Sequence, residues 1–146
     1  MNRIWIAATI VLAAATARAD SSVPPATGKR PEVAWQSDPK AAASDAQRRG
    51  KSLLLLYCAE WAMPCAEMKW KVFRDPEVVA LIRSRFVPVY IDVTDDQNPI
   101  SEKLRKEHRA ETVPMLIVFD GKGREVWRLD HYATADEVRQ RLSSIK

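Results

Sequence analysis

Cys58 and Cys65 are the only two cysteines in the 146-residue chain, and the residues between them form a six-residue turn. A thiol pair can form a stabilising bridge or a reversible redox couple, and in an exported chain an even pair usually does one or the other. The apolar run Leu53-Leu54-Leu55-Leu56-Tyr57 leads into Cys58, Ala59 to Pro64 turn the chain, and Cys65 opens a stretch of helical spacing. That turn is long enough to bring a strand end back beside a first helical turn, although a bridge also needs Cα atoms about 4.4–6.8 Å apart. Three states stay open: a structural staple, a redox couple and two unbridged buried thiols. A bridge closing so short a loop stabilises by only about 2–3 kcal/mol. A Cys65 thiolate would gain from the helix N-terminus, whereas apolar shielding would raise its pKa.

Other chemistries find little support. His108 lies in a charged helix and His131 follows a hairpin, neither at a metal-ligand spacing, so no metal site is expected. A glycine-rich phosphate loop and a Ser/His/Asp signature are both missing, and no cofactor is expected. Trp61 and Met63 flank the turn and offer an apolar platform for a partner. Trp70 and Trp127 are expected as core or half-buried packing.

The elements that must position these residues are legible from punctuation and period. Asp38-Pro39 supplies a cap and a first-turn proline, and Gly50 a stop, giving a helix over 38–49. The run ending at Cys58 is apolar without alternation, as in a strand covered on both faces. Asp75-Pro76 starts a helix to Arg85, Phe86 to Asp92 form a strand, and Asn98-Pro99 opens a helix to about His108. Pro88 argues against a central place for the second strand. Met115–Phe119, Asp120-Gly121-Lys122-Gly123 and Glu125–Leu129 read as a hairpin, and Thr134-Ala135-Asp136-Glu137 as the capping box of a last helix. The order α-β-α-α-β-α-β-β-α gives an α/β class built on a mixed sheet.

Residues 1–19 read as a cleaved secretory signal: a basic start at Arg3, an apolar run from Ile4 to Ala15 and a small-x-small site at Ala17-Arg18-Ala19. Residues 20–34, rich in Pro, Ser, Ala and Thr, read as a flexible linker, and 35–146 as one domain. The apolar run falls short of the roughly 20 residues that cross a bilayer, so no integral membrane segment is expected after cleavage. Without Arg3 and Arg18, 21 basic residues face 19 acidic ones. A balance so close to neutral, with mixed signs along the chain, excludes a nucleic-acid surface.

Gly50 to Leu56, Cys58-Ala59-Glu60-Trp61-Ala62-Met63-Pro64-Cys65, Phe73-Arg74-Asp75-Pro76-Glu77-Val78 and Thr112-Val113-Pro114 with its hairpin together resemble a thioredoxin. They are most similar to the C-terminal periplasmic domain of the thiol:disulfide interchange reductases. The resemblance covers roughly 35–146 and implies a thioredoxin fold, a central mixed β-sheet flanked by helices. It implies a Trp-Cys-x-x-Cys loop, with the attacking thiol at a helix N-terminus and the resolving thiol one turn on. Here Ala62 stands at the attacking position and only the resolving position, Cys65, keeps its sulfur. Leu56 stands where the family commonly has a proton-transferring aspartate, and Cys58 where it usually has an aromatic residue.

The resemblance further implies a cis bond at Val113-Pro114, facing the redox loop and receiving extended substrate. Two functions follow. One is periplasmic exchange with protein or peptide thiols and disulfides, through Cys65 and possibly Cys58 as divergent catalytic residues. The other is a redox-inactive module that binds a peptide or partner protein through Trp61, Met63, Val113 and Pro114. A purely structural role in an envelope assembly is also compatible with the sequence.

Overall fold

A computed structural model describes residues 31–146; the expected signal and most of the linker lie outside the described residues. Five helices flank a four-stranded mixed sheet in the order β2-β1-β3-β4. The helices are α1 (Pro39–Arg49), α2 (Met63–Glu67), α3 (Pro76–Arg85), α4 (Pro99–His108) and α5 (Ala135–Ser144). The strands are β1 (Ser52–Cys58), β2 (Phe86–Asp92), β3 (Met115–Phe119) and β4 (Glu125–Leu129).

Helix starts follow the expected chemistry. Asp38 accepts from the amides of Lys40 and Ala41, Asp75 from Glu77 and Val78, and Asn98 from Ile100 and Ser101, each ahead of a proline. These caps satisfy N–H groups that have no partner within the helix, and proline gives up a donor that would be orphaned anyway. Gly50 ends α1 at φ 61°, a left-handed conformation that glycine adopts without a Cβ penalty.

β1 is central, paired parallel with β2 and antiparallel with β3, and Leu53 to Cys58 are all buried. β2 lies at the sheet edge, which reconciles Pro88 with its strand. The carbonyl of Pro88 and the amide of Tyr90 face outward to Gln36, so the N–H that proline lacks belongs to no ladder with β1. Packing reaches back to Val33, which is buried, and to Glu32, which pairs with Arg74.

Side-chain alternation along β1 sets the site. Leu54, Leu56 and Cys58 share one face, while Leu53, Leu55 and Tyr57 share the other. α3, α5 and the segment after α2 pack together on one side of the sheet.

The second helical stretch departs from the expected form. It starts at Met63 rather than Cys65 and continues past Glu67 as π-helical turns over Met68–Val72. Met68 and Val72 are buried there, and Trp70 between them is turned outward, 60% exposed, against its expected packing. Its ring is instead covered by the Arg74 guanidinium, 3.8 Å from the ring centre. Trp127 is half-buried and packs against the core.

Candidate functional site

The site forms where β1 ends. The Cys58 carbonyl accepts from the Val93 amide at 2.9 Å, and the Glu60 amide donates to Thr94 Oγ1 at 2.9 Å. These bonds hold the turn after β1 against the loop after β2. The Ala62 amide then donates to the Ala59 carbonyl, and the Ala62 carbonyl accepts from Cys65 and Ala66, closing the first turn of α2. Ala62 caps this helix without any side-chain hydrogen bond.

Cys58 and Cys65 are joined in a disulfide, with Cα atoms 5.6 Å apart. Of the three states left open by the sequence, the unbridged pair is therefore not the one observed. The bridge is shielded: Cys58 is 2% exposed and Cys65 5%, and both belong to the hydrophobic core. Ala62, at the position that resembles an attacking cysteine, is 6% exposed and carries no sulfur. Leu56, also buried, lies on the Cys58 face of β1, so no proton-transferring carboxylate sits at that strand position.

Around this closed chemistry the surface is open. Trp61 is 68% exposed and Met63 74%, one on each side of Ala62. The β1–β3 register ends with Tyr57 opposite Met115, so one further step sets Pro114 beside Cys58. The Val113–Pro114 bond is cis, Pro114 is buried and Val113 is half-buried. Among the described residues, the Val113 main chain makes no backbone hydrogen bond. The structure thus brings Cys58, Cys65 and Pro114 to one end of the sheet, with Trp61 and Met63 on the surface there.

The opposite face of β1 holds a polar group that sequence reasoning passed over. The buried Tyr57 side chain places its hydroxyl 2.5 Å from His108 Nδ1 and 3.3 Å from the Leu104 carbonyl. One hydroxyl proton serves one of these acceptors, and the imidazole tautomer decides which. Burial pushes the Tyr57 hydroxyl well above the usual tyrosine range, with Glu107 adding to the shift. Burial likewise holds His108 below the ordinary histidine value, against the opposing pull of Glu107. Arg128 completes the group: it donates to the His108 and Arg109 carbonyls at 2.7 and 3.1 Å and pairs with Glu125 at 2.8 Å. A cleft of about 320 Å³ opens here, with Leu53, Leu55, Phe119 and His108 in its wall. His108 carried a weak signal, a neutral-capable side chain in a charged helix, but only the tertiary fold reveals its partner.

Among the described residues no three His, Cys, Asp or Glu side chains gather as a metal would need, and no helix is long and apolar enough to cross a membrane.

The thioredoxin-like domain family matches residues 39–146. The chain belongs to that family. Its structure is similar to that of a thioredoxin from Thermus thermophilus, at a TM-score of 0.68 and 25% identity, covering 77% of this chain and 85% of that one. It is also similar to the oxidised C-terminal domain of Neisseria meningitidis DsbD, at a TM-score of 0.65 and 28% identity, over 75% of this chain and 97% of that domain. A DsbH oxidoreductase shares the fold at a TM-score of 0.66, with 17% identity over 84% of this chain and 93% of that one. No curated protein matches the sequence.

Proposed function

We propose that this protein is an exported thioredoxin-fold binding module. It holds an extended segment of a partner protein against Trp61, Met63, Val113 and Pro114, and the Cys58–Cys65 bridge staples the platform from beneath. One observation carries this reading. Both sulfurs are consumed in a bridge whose residues are 2% and 5% exposed, while Trp61 and Met63 stand 68% and 74% exposed beside it. Disulfide exchange needs a thiolate to reach a sulfur along an open path, and a core bridge denies that approach. Peptide binding needs only exposed apolar area and unpaired main chain, as at Val113. A periplasmic location suits the bridge, because such bonds persist in oxidising compartments.

A second reading, thiol:disulfide exchange with Cys65 and Cys58 as the catalytic couple, draws on the relatives. The similar DsbD domain was solved in both oxidised and reduced forms, and this chain holds a cysteine bridge at the end of its central strand. The two readings separate in one experiment. Partner capture from periplasmic extract and insulin reduction are measured side by side for the wild type, Cys65→Ala and Trp61→Ala. The binding module predicts no insulin reduction, capture retained in Cys65→Ala and capture weakened in Trp61→Ala. Insulin reduction that disappears in Cys65→Ala establishes exchange instead.

A further inference from the structure

Charge is segregated along the strand axis. β1 and β2 finish together, with Cys58 opposite Asp92, and β3 begins and β4 ends beside them. The loops after β1 and β2 are tied by the Glu60–Thr94 bond, and those before β3 and after β4 by Thr112 Oγ1 donating to the Asp130 carbonyl at 3.1 Å. This end carries Glu60, Asp92, Asp95, Asp96, Glu111 and Asp130, against Arg109 and His131, with Lys69 over the Tyr90 ring and Lys71 paired with Glu67 at its margin. Among the described residues only Asp130 of the six has an ion-pair partner, and that partner, His131, is charged only when protonated. The far end carries Lys51, Arg83, Arg85, Lys122, Arg124 and Lys146 against Asp120, which pairs with Arg124. The acidic end therefore lies where Trp61 and Met63 are exposed.

We infer that this surface docks an extended, lysine- and arginine-rich segment of a partner protein. Apolar side chains of the segment rest on Trp61 and Met63, and its cations face Glu60, Asp95 and Asp96. The inference rests on the peptide-binding reading above and adds the class of peptide. The exposed aromatic and thioether provide contact area that tolerates many apolar residues. The unpaired carboxylates select sign: they attract cations over about one Debye length and repel an acidic segment. In water such charges act more on encounter rate and specificity than on contact strength, so the preference weakens as salt rises.

The test uses fluorescently labelled peptides that alternate valine with lysine, serine or glutamate, titrated with the purified protein at low and physiological salt. The lysine peptide is expected to bind about tenfold more tightly than the serine peptide at low salt, a difference of about 1.4 kcal/mol. The glutamate peptide is expected not to bind. The double variant Glu60→Lys with Asp96→Lys, whose side chains cap no helix, is expected to abolish the preference and leave the serine peptide unaffected. Equal binding of lysine and serine peptides overturns the charge inference and leaves peptide binding standing. Failure of all three peptides overturns both. Self-association that blocks the lysine peptide, the basic end of one copy filling the acidic end of another, overturns the partner assignment.

Discussion

Tyr57 and Cys58 are adjacent in sequence, and each ties the end of the central strand to a helix, but on opposite faces and by opposite chemistry. Cys58 makes a covalent bond to α2. Tyr57 makes a hydrogen bond to His108 at the end of α4, backed by Arg128. The first tie responds to reductant and is indifferent to pH. The second responds to pH and is indifferent to reductant. A strand that alternates its side chains can thus anchor two layers independently, and each tie can be cut without touching the other.

Cutting the covalent tie has the largest expected effect. Reduction, or the double variant Cys58→Ala with Cys65→Ala, is expected to lower unfolding free energy by about 2–3 kcal/mol, read from urea midpoints. The oxidised and reduced wild type should differ by the same amount, and the double variant should not respond to dithiothreitol.

The polar tie comes next. Tyr57→Phe removes the hydroxyl and leaves His108 Nδ1 without its partner, and is expected to cost about 1–2 kcal/mol with the bridge intact. The same tie predicts a pH dependence. His108 is held below its ordinary value of about 6.5 by burial, so the folded state takes up a proton less readily than the unfolded chain. Its contribution is fully present above about pH 6.5 and is lost as pH falls from there toward the lowered folded value. Thermal midpoints measured downward from pH 7 should fall faster in the wild type than in His108→Leu, and equal slopes would remove His108 from the account.

Arg128→Ala sharpens the comparison on the same face. It strips donors from the His108 and Arg109 carbonyls and is expected to cost about 1 kcal/mol, reduced because the side chain is partly exposed. Trp70→Ala is the smallest change, expected within about 0.5 kcal/mol of the wild type because the ring is largely exposed beneath the Arg74 guanidinium.

What the sequence made legible follows from how local each signal is. Asp38-Pro39, Asp75-Pro76 and Asn98-Pro99 act on amides within three residues, so each helix start could be read directly. The unbroken run before Cys58 reported a doubly covered strand, and Pro88 reported an edge, because each property belongs to a single strand. The bridge was legible as one of three options, since spacing permits contact and only the fold supplies facing Cβ atoms. Trp70 was misjudged because the π-helical turns carry no sequence signature and break the period from which its packing was read. The Tyr57–His108–Arg128 group was invisible for another reason. Its members lie 51 and 20 positions apart along the chain, and no local pattern encodes that meeting.

We propose that Cys58–Cys65 is a shielded staple beneath a binding surface. The most direct test is the reduction potential of the purified protein, read by thiol alkylation and intact mass across glutathione and dithiothreitol buffers. The claim predicts a bridge below about −300 mV, resistant to the glutathione pool. A reversible two-electron transition between roughly −120 and −270 mV, where known exchangers operate, would contradict it and make these two cysteines a working couple.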